Sequence, residues 1–384
     1  MSLNVGKISG IDIRLNFSWF LIFGLLTWSL AANYLPSQYP EQSVTFYWIV
    51  GAMAAVTLFI SLLAHELAHS LVAQGEGMSI RSITLHFFGG VSELGEESRT
   101  PDTELKMASV GPISSLLIGL FFLVLWRTLT FSPLGLRAIF QYASYANLGL
   151  ALFNSIPAFP MDGGRVLRAL LWRRRDNILE ATRTATTISK VISYLFMGLG
   201  VFSFFAMNGI DGLWLMVIGF IINGNATASL SQTMISRALS DVSVEKIMTR
   251  DVKSVEPDLT IQQVVDRYFQ RYAHNGFPVM QDGDLVGMIC SHDIQQIPEE
   301  QWDMVKVEDV MKPGEELYTV SPESNSADAL MEMAKRDIGR LPVLRNGEMV
   351  GLITRSDITR AIRLRTPERG ENREETAVKQ IVSG

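Results

Sequence analysis

Apolar stretches at residues 17–35, 46–73, 105–128, 137–159, 187–207 and 212–231 are each close to the ~20 residues that a helix needs to cross about 30 Å of hydrocarbon. A chain carrying six of them has few architectures open to it. Lipid offers no partner to a backbone N–H or C=O, so only helices and closed barrels span it, and runs this continuous suit helices rather than alternating barrel strands. Residues 1–231 are therefore expected to form a multi-pass α-helical membrane domain of about six transmembrane helices. The first stretch follows polar sequence and carries no small-residue cleavage site, so it reads as a retained span rather than a secretory leader.

Charge divides the chain in the same place. Only 19% of the 384 residues are charged and 48% are hydrophobic, and the shortage falls on the apolar region, whereas residues 242–364 have the charge density of a soluble domain. Loop charges set an orientation: Lys7 and Arg14 precede the first stretch, Arg81 and Arg99 follow the second, and Arg165, Arg168, Arg173, Arg174 and Arg175 follow the fourth, while residues 36–45 and 208–211 have no Lys or Arg. Arg127 and Arg137 are the exceptions. Both termini are expected in the cytosol and the chain in the plasma membrane. A net charge of −6 argues against nucleic-acid binding, which calls for a basic excess to neutralise phosphates. The single cysteine, Cys290, leaves no intramolecular disulfide and no Cys-based zinc site.

Between the second and third stretches, residues 79–94 (SIRSITLHFFGGVSEL) set β-branched and aromatic residues around Gly89 and Gly90, a hairpin pattern. Non-helical backbone at membrane depth is tolerated only where it lines a protein cavity, so this hairpin should lean over a polar site. The C-terminal region repeats itself. Phe277-Pro278-Val279, Gly287 and Asp293 recur as Leu341-Pro342-Val343, Gly351 and Asp357 with a constant offset, each copy reading strand, tight turn, strand, helix. Residues 232–241 are expected to be a linker, 242–300 and 305–364 the two α/β copies, and 365–384 a solvated charged tail.

The polar residues inside the apolar region carry the chemistry. His65-Glu66-Leu67-Ala68-His69 is an HExxH sequence. On a helix, positions i and i+4 share a face, so both imidazoles reach one Zn²⁺ while Glu66 stays close enough to deprotonate an attacking water. Each of these groups is costly in an apolar span without a compensating partner, which makes a chance match a poor explanation. One ligand is missing, and the segment from Asn154 to Arg165 (NSIPAFPMDGGR) offers it: two prolines and two glycines break the fourth stretch and let Asp162 turn inward. His65, His69 and Asp162 with an open position suit catalytic zinc.

His65-Glu66-x-x-His69, together with Asn154-x-x-Pro157-x-x-Pro160-x-Asp162-Gly163, resembles the site-2 proteases over roughly residues 1–232. The resemblance implies an intramembrane metalloprotease with zinc on His65, His69 and Asp162, Glu66 as general base, and Asn154 holding the substrate or the tetrahedral oxyanion. Gly111-Pro112 resembles the family's GP pair, whose small residue permits close helix packing. The repeat resembles a tandem pair of CBS domains, cytosolic in this orientation, which implies ATP, ADP or AMP in the cleft between copies and a surface for homodimers. In the second copy Thr354 and Asp357 match the residues that hold phosphate and ribose. In the first, Asp293 matches but Cys290 replaces the threonine.

A substrate with a transmembrane segment is the expected partner. Two other readings compete. A CBS-regulated transporter or channel would show inverted repeats and polar residues spread along a path, and neither is found. An inactive receptor of protease fold would have no need of Glu66.

Overall fold

A computed structural model describes residues 2–86, 89–94, 98, 100–206, 209, 211–239, 242–272 and 274–365. The chain forms two compact units, Met1–Leu230 and Ser231–Gly384.

The first unit opens with a strand pair where polar sequence was expected. Strands β1 (Ser2–Ile8) and β2 (Ile11–Asn16) pair antiparallel. The signal is the two-residue alternation of Ile11, Ile13 and Leu15, the first two of which are buried. Strand β2 runs parallel to β3 (Ile80–His86), and β3 pairs antiparallel with β4 (Gly89–Leu94), giving the order β1-β2-β3-β4. The expected hairpin is thus β3 and β4, with Phe87 and Phe88 outside the described residues.

The helices are α1 (Phe17–Ser29), continued through a π-turn at Leu30–Tyr34 to Gln38, then α2 (Val44–Gly75), α3 (Pro101–Thr128), α4 (Leu134–Asn154), α5 (Asp162–Arg175), α6 (Ile178–Ala206) and α7 (Asp211–Leu239). Their starts are written locally. Asn16 accepts from the Ser18 amide, Ser43 from Phe46, and Thr100 from Thr103, so free N–H groups of each first turn gain a partner. Pro101 sits at the first position of α3, where a missing N–H costs nothing.

Five of these helices, α1 with its continuation, α2, α3, α6 and α7, are long and apolar enough to cross a membrane. The fourth expected span is not among these five. It is helical but ends at Asn154, and Arg137, Gln141 and Asn147 lower its hydropathy; it packs against α2 and α3. Asp162 does not continue it either, being the first residue of α5 after the loop 155–161. No more than 28% of the apolar window of any of the five is buried against protein, and large side chains such as Ile60, Phe121, Phe202 and Phe220 face outward. That much apolar surface is stable only in lipid.

In the second unit the stretch expected as a linker is mostly helix: α7 runs to Leu239, and Ile235, Ala238 and Leu239 belong to this unit's core. Hairpin β5 (Gly276–Gln281) and β6 (Asp284–Cys290) is matched by β7 (Arg340–Arg345) and β8 (Glu348–Thr354) in the same register, with Gly276 opposite Cys290 and Arg340 opposite Thr354. Asp282-Gly283 and Asn346-Gly347 form their turns with positive φ at both residues, which matches the right-handed strand twist. Helices α8 (Ser326–Lys335) and α9 (Arg355–Arg365) flank β7 and β8 in sequence. The copies are interwoven rather than consecutive. Thr249 pairs with Leu352 of β8, and Lys312-Pro313 pairs with Met288 and Gly287 of β6, so the segment before each copy's hairpin pairs with the other copy's sheet. The tail lies outside the described residues.

Candidate metal centre

Helix α2 places His65 and His69 one turn apart on a buried face. Asp162 enters from the first turn of α5, itself only 9% exposed. The two Nε2 atoms are 3.2 Å apart, and each is 3.3 Å from Asp162 Oδ2. Four ligands set tetrahedrally at ~2.0–2.1 Å from Zn²⁺ are about 3.3–3.4 Å from one another, so the triangle already has the spacing of three of them. No other three His, Cys, Asp or Glu side chains among the described residues bring donor atoms this close.

The outer nitrogens explain why the lone pairs face inward. His69 Nδ1–H donates to the Met107 carbonyl at 2.6 Å, so in the neutral ring the lone pair is on Nε2, toward the triangle. His65 Nδ1 pairs with Ser115 Oγ at 2.9 Å. Asp162 Oδ2 is buried with no hydrogen-bond donor among the described residues. Lone pairs of neutral imidazoles held against a carboxylate oxygen repel it, and a cation between them resolves the repulsion. The donor set fits zinc.

Packing leaves no slack. A Cβ at Gly111 of α3 would collide with His69 Nε2 and lie 2.8 Å from His65 Cε1. The Gly111-Pro112 pair was expected to serve helix packing; Gly111 in fact makes room for both imidazoles. A Cβ at Gly90 of β4 would strike Glu66, so the hairpin does lean over the polar site. Gly163 and Gly164 press against the backbone of Ser155, Ile156 and Ala158, which seats the start of α5 on the loop before it.

Above the triangle lies a cavity of about 440 Å³ lined by Glu66, Gly90, Asn154, Asp162 and Arg165, among others. Glu66 and Asn154, expected at the site, are both there. Met107, Ser115 and Arg165 were not foreseen in the site: a Ser or Met in an apolar helix has no distinctive signal, and a carbonyl has none at all. His86, His274 and His292 stand apart, His274 stacking on Tyr272 at 6.3 Å between centroids.

In the second unit Asp357 is 8% exposed and its Oδ2 accepts from Thr354 N at 3.1 Å and Thr354 Oγ1 at 2.7 Å; the Arg360 guanidinium donates to Oδ1 at 2.8 Å. Asp293 accepts only from the Cys290 amide, at 2.8 Å. Burial pushes the Cys290 thiol above its ordinary pKa, so it stays a weak, neutral donor.

Comparisons with known proteins cover both units of the chain. The profile of peptidase family M50 matches residues 53–133 and 129–199, and that of the CBS domain matches 244–299 and 307–364. Rip3 of Mycobacterium tuberculosis is 32% identical over 374 residues, covering 96% of this chain and 95% of its own length. Zinc metalloprotease MJ0392 of Methanocaldococcus jannaschii is 29% identical over 361 residues, covering 94% and 96%. Among solved structures, the site-2 protease from Methanocaldococcus jannaschii matches 60% of this chain and 95% of its own at 28% identity and a TM-score of 0.41. Likeness along almost the whole of Rip3, with its HExxH helix and its repeat inside the matched segments, makes the chain a member of peptidase family M50, a zinc metalloprotease of the site-2 type carrying a tandem CBS pair.

Proposed function

We propose that this protease hydrolyses a peptide bond in or near a transmembrane segment of a membrane-protein substrate, with zinc on His65, His69 and Asp162. The reading rests on the three donor atoms that α2 and α5 bring to tetrahedral spacing inside an apolar unit. Zinc held there would make water a nucleophile near neutral pH and polarise the scissile carbonyl. Glu66 takes the proton of the attacking water and returns it to the amine as the C–N bond breaks. Asn154, at the end of α4, donates its amide N–H to the carbonyl oxygen as charge develops there.

A helical substrate has to unwind first, because its carbonyls are otherwise bonded within the helix. Strand β4 is at the edge of its sheet and its Gly90 abuts Glu66. An extended segment laid along β4 would pass beside the base, its backbone groups satisfied by strand addition. Arg165 adds guanidinium donors to the same cavity wall.

We also propose that the CBS pair, on the cytosolic side with both termini and serving a homodimer in the plasma membrane, binds an adenine nucleotide through Thr354 and Asp357, with Asp293 contributing less. Regulation then requires that the nucleotide prefer one of two arrangements of the module. The central test is zinc content of detergent-purified chain: about one equivalent in the parent and a loss in His65→Ala and Asp162→Asn, since a neutral amide is a poor zinc ligand. Full zinc in Asp162→Asn would require a different third ligand.

A further inference from the structure

We propose that the ion pair between Glu104 and Arg168 is a positioning device for the metal centre, holding the helix that carries Asp162 in register with the helix that orients both histidines. Glu104, in the first turn of α3, is wholly buried. Its Oε1 accepts from Arg168 Nε at 2.7 Å and also from Nη2, while Oε2 is buried without a partner among the described residues. The Arg168 side chain is itself only 13% exposed, and its guanidinium lies 5.6 Å from the centre of the Phe159 ring.

Stability does not explain such a pair. Desolvating two charges offsets most of their attraction, and well-packed apolar side chains of similar volume often do as well or better. What the pair supplies is register, and its location says for which parts. Glu104 lies one turn before Met107, whose carbonyl fixes His69, and on the same helix as Ser115, the partner of His65. Arg168 is on α5, which begins with Asp162, and its other contact, Phe159, lies in the loop that delivers α5. The flush contact of Gly163 and Gly164 with that loop seats α5 at one end. Two N–H groups converging on one carboxylate oxygen resist its sliding along α3. Ligand sets tolerate only about 0.5 Å of error, so a small slip is enough to spoil the triangle.

This inference rests on reading His65, His69 and Asp162 as the zinc site, which His65→Ala tests separately through loss of bound zinc. The pair is tested with Glu104→Leu/Arg168→Met, which removes both charges at similar volume, and with Arg168→Lys, which keeps the charge but loses the fork of donors. Thermal midpoint, zinc affinity against graded chelators, the visible spectrum after cobalt substitution, and kcat and KM are measured on the full chain in detergent. The expected result is a double variant with a midpoint no lower than the parent, zinc affinity down about 10- to 100-fold as for lost outer partners, a changed cobalt spectrum, and a fall in kcat with KM held. Arg168→Lys should show the same changes in smaller measure. Parental zinc affinity, cobalt spectrum and kcat in the double variant would overturn the proposal, as would a double variant that fails to fold, since the pair would then be a stability element.

Discussion

The two polar constellations of this chain are built in opposite ways. In the membrane unit the donor atoms of His65, His69 and Asp162 come from helices far apart in sequence, and each outer partner comes from a third helix, α3. In the CBS unit Thr354 and Asp357 satisfy each other within a single turn. The first joins three helices, so a displaced member leaves buried groups on other helices unpaired. The second is local: Thr354 and the exposed Arg360 guanidinium each lie three residues from Asp357, so its loss leaves few groups of other elements unpaired. Substitutions in the membrane unit should therefore act in large, nearly all-or-none steps, and those in the CBS unit in small, graded ones.

The sharpest expected effect is that of Glu66→Gln. It removes the base but none of the three proposed ligands, so cleavage should fall by about 10²- to 10⁴-fold with zinc retained. Paired metal analysis and cleavage kinetics would show this, and retained cleavage would take Glu66 out of the mechanism. Next comes Gly111→Ala, one methyl group aimed at two imidazoles. A displacement of about 1 Å at a reacting site costs roughly 10²-fold, and here both zinc content and kcat/KM should drop. A parental Gly111→Ala enzyme would mean that the histidines have room the packing does not reveal.

Ser115→Ala should be milder, because His65 keeps its place on α2 and loses only the partner of Nδ1. A fall of about 10- to 100-fold in zinc affinity or activity is expected, read by competition with a chelator. The smallest effect belongs to the CBS unit. Calorimetry with ATP or AMP on the full chain should give weakening of roughly tenfold, ~1.4 kcal/mol, for Asp357→Ala and less for Asp293→Ala, whose neighbour Cys290 is the poorer donor. Equal weakening by both would erase the asymmetry between the copies. A large, all-or-none loss from Asp357→Ala would break the contrast between the two units.

The family comparison narrows what these tests can mean. Likeness to Rip3 along nearly its whole length covers the protease and the CBS pair together, so the fusion itself is shared and not peculiar to this chain. A role for nucleotide in this protein is accordingly a question about one built assembly. Measuring cleavage with and without ATP or AMP on the full chain addresses it directly.

What was legible in the sequence was whatever is written within a few residues. Apolar runs marked six helices, five of them long and apolar enough to cross a membrane, the i, i+4 spacing placed His65 and His69 on one face, and the constant offset of the repeat fixed the matching registers of β5–β6 and β7–β8. Each follows from the period of a single helix or hairpin, which the chain sets locally. The tertiary structure decided the rest. It ended the fourth helix at Asn154 and started a new one at Asp162, extended α7 through the expected linker, and exchanged strands between the CBS copies. It also brought Ser115, the Met107 carbonyl and Gly111 against the histidines and paired Glu104 with Arg168. No local period marks such residues, because a serine, a glycine or a backbone carbonyl takes its role from what another helix packs against it.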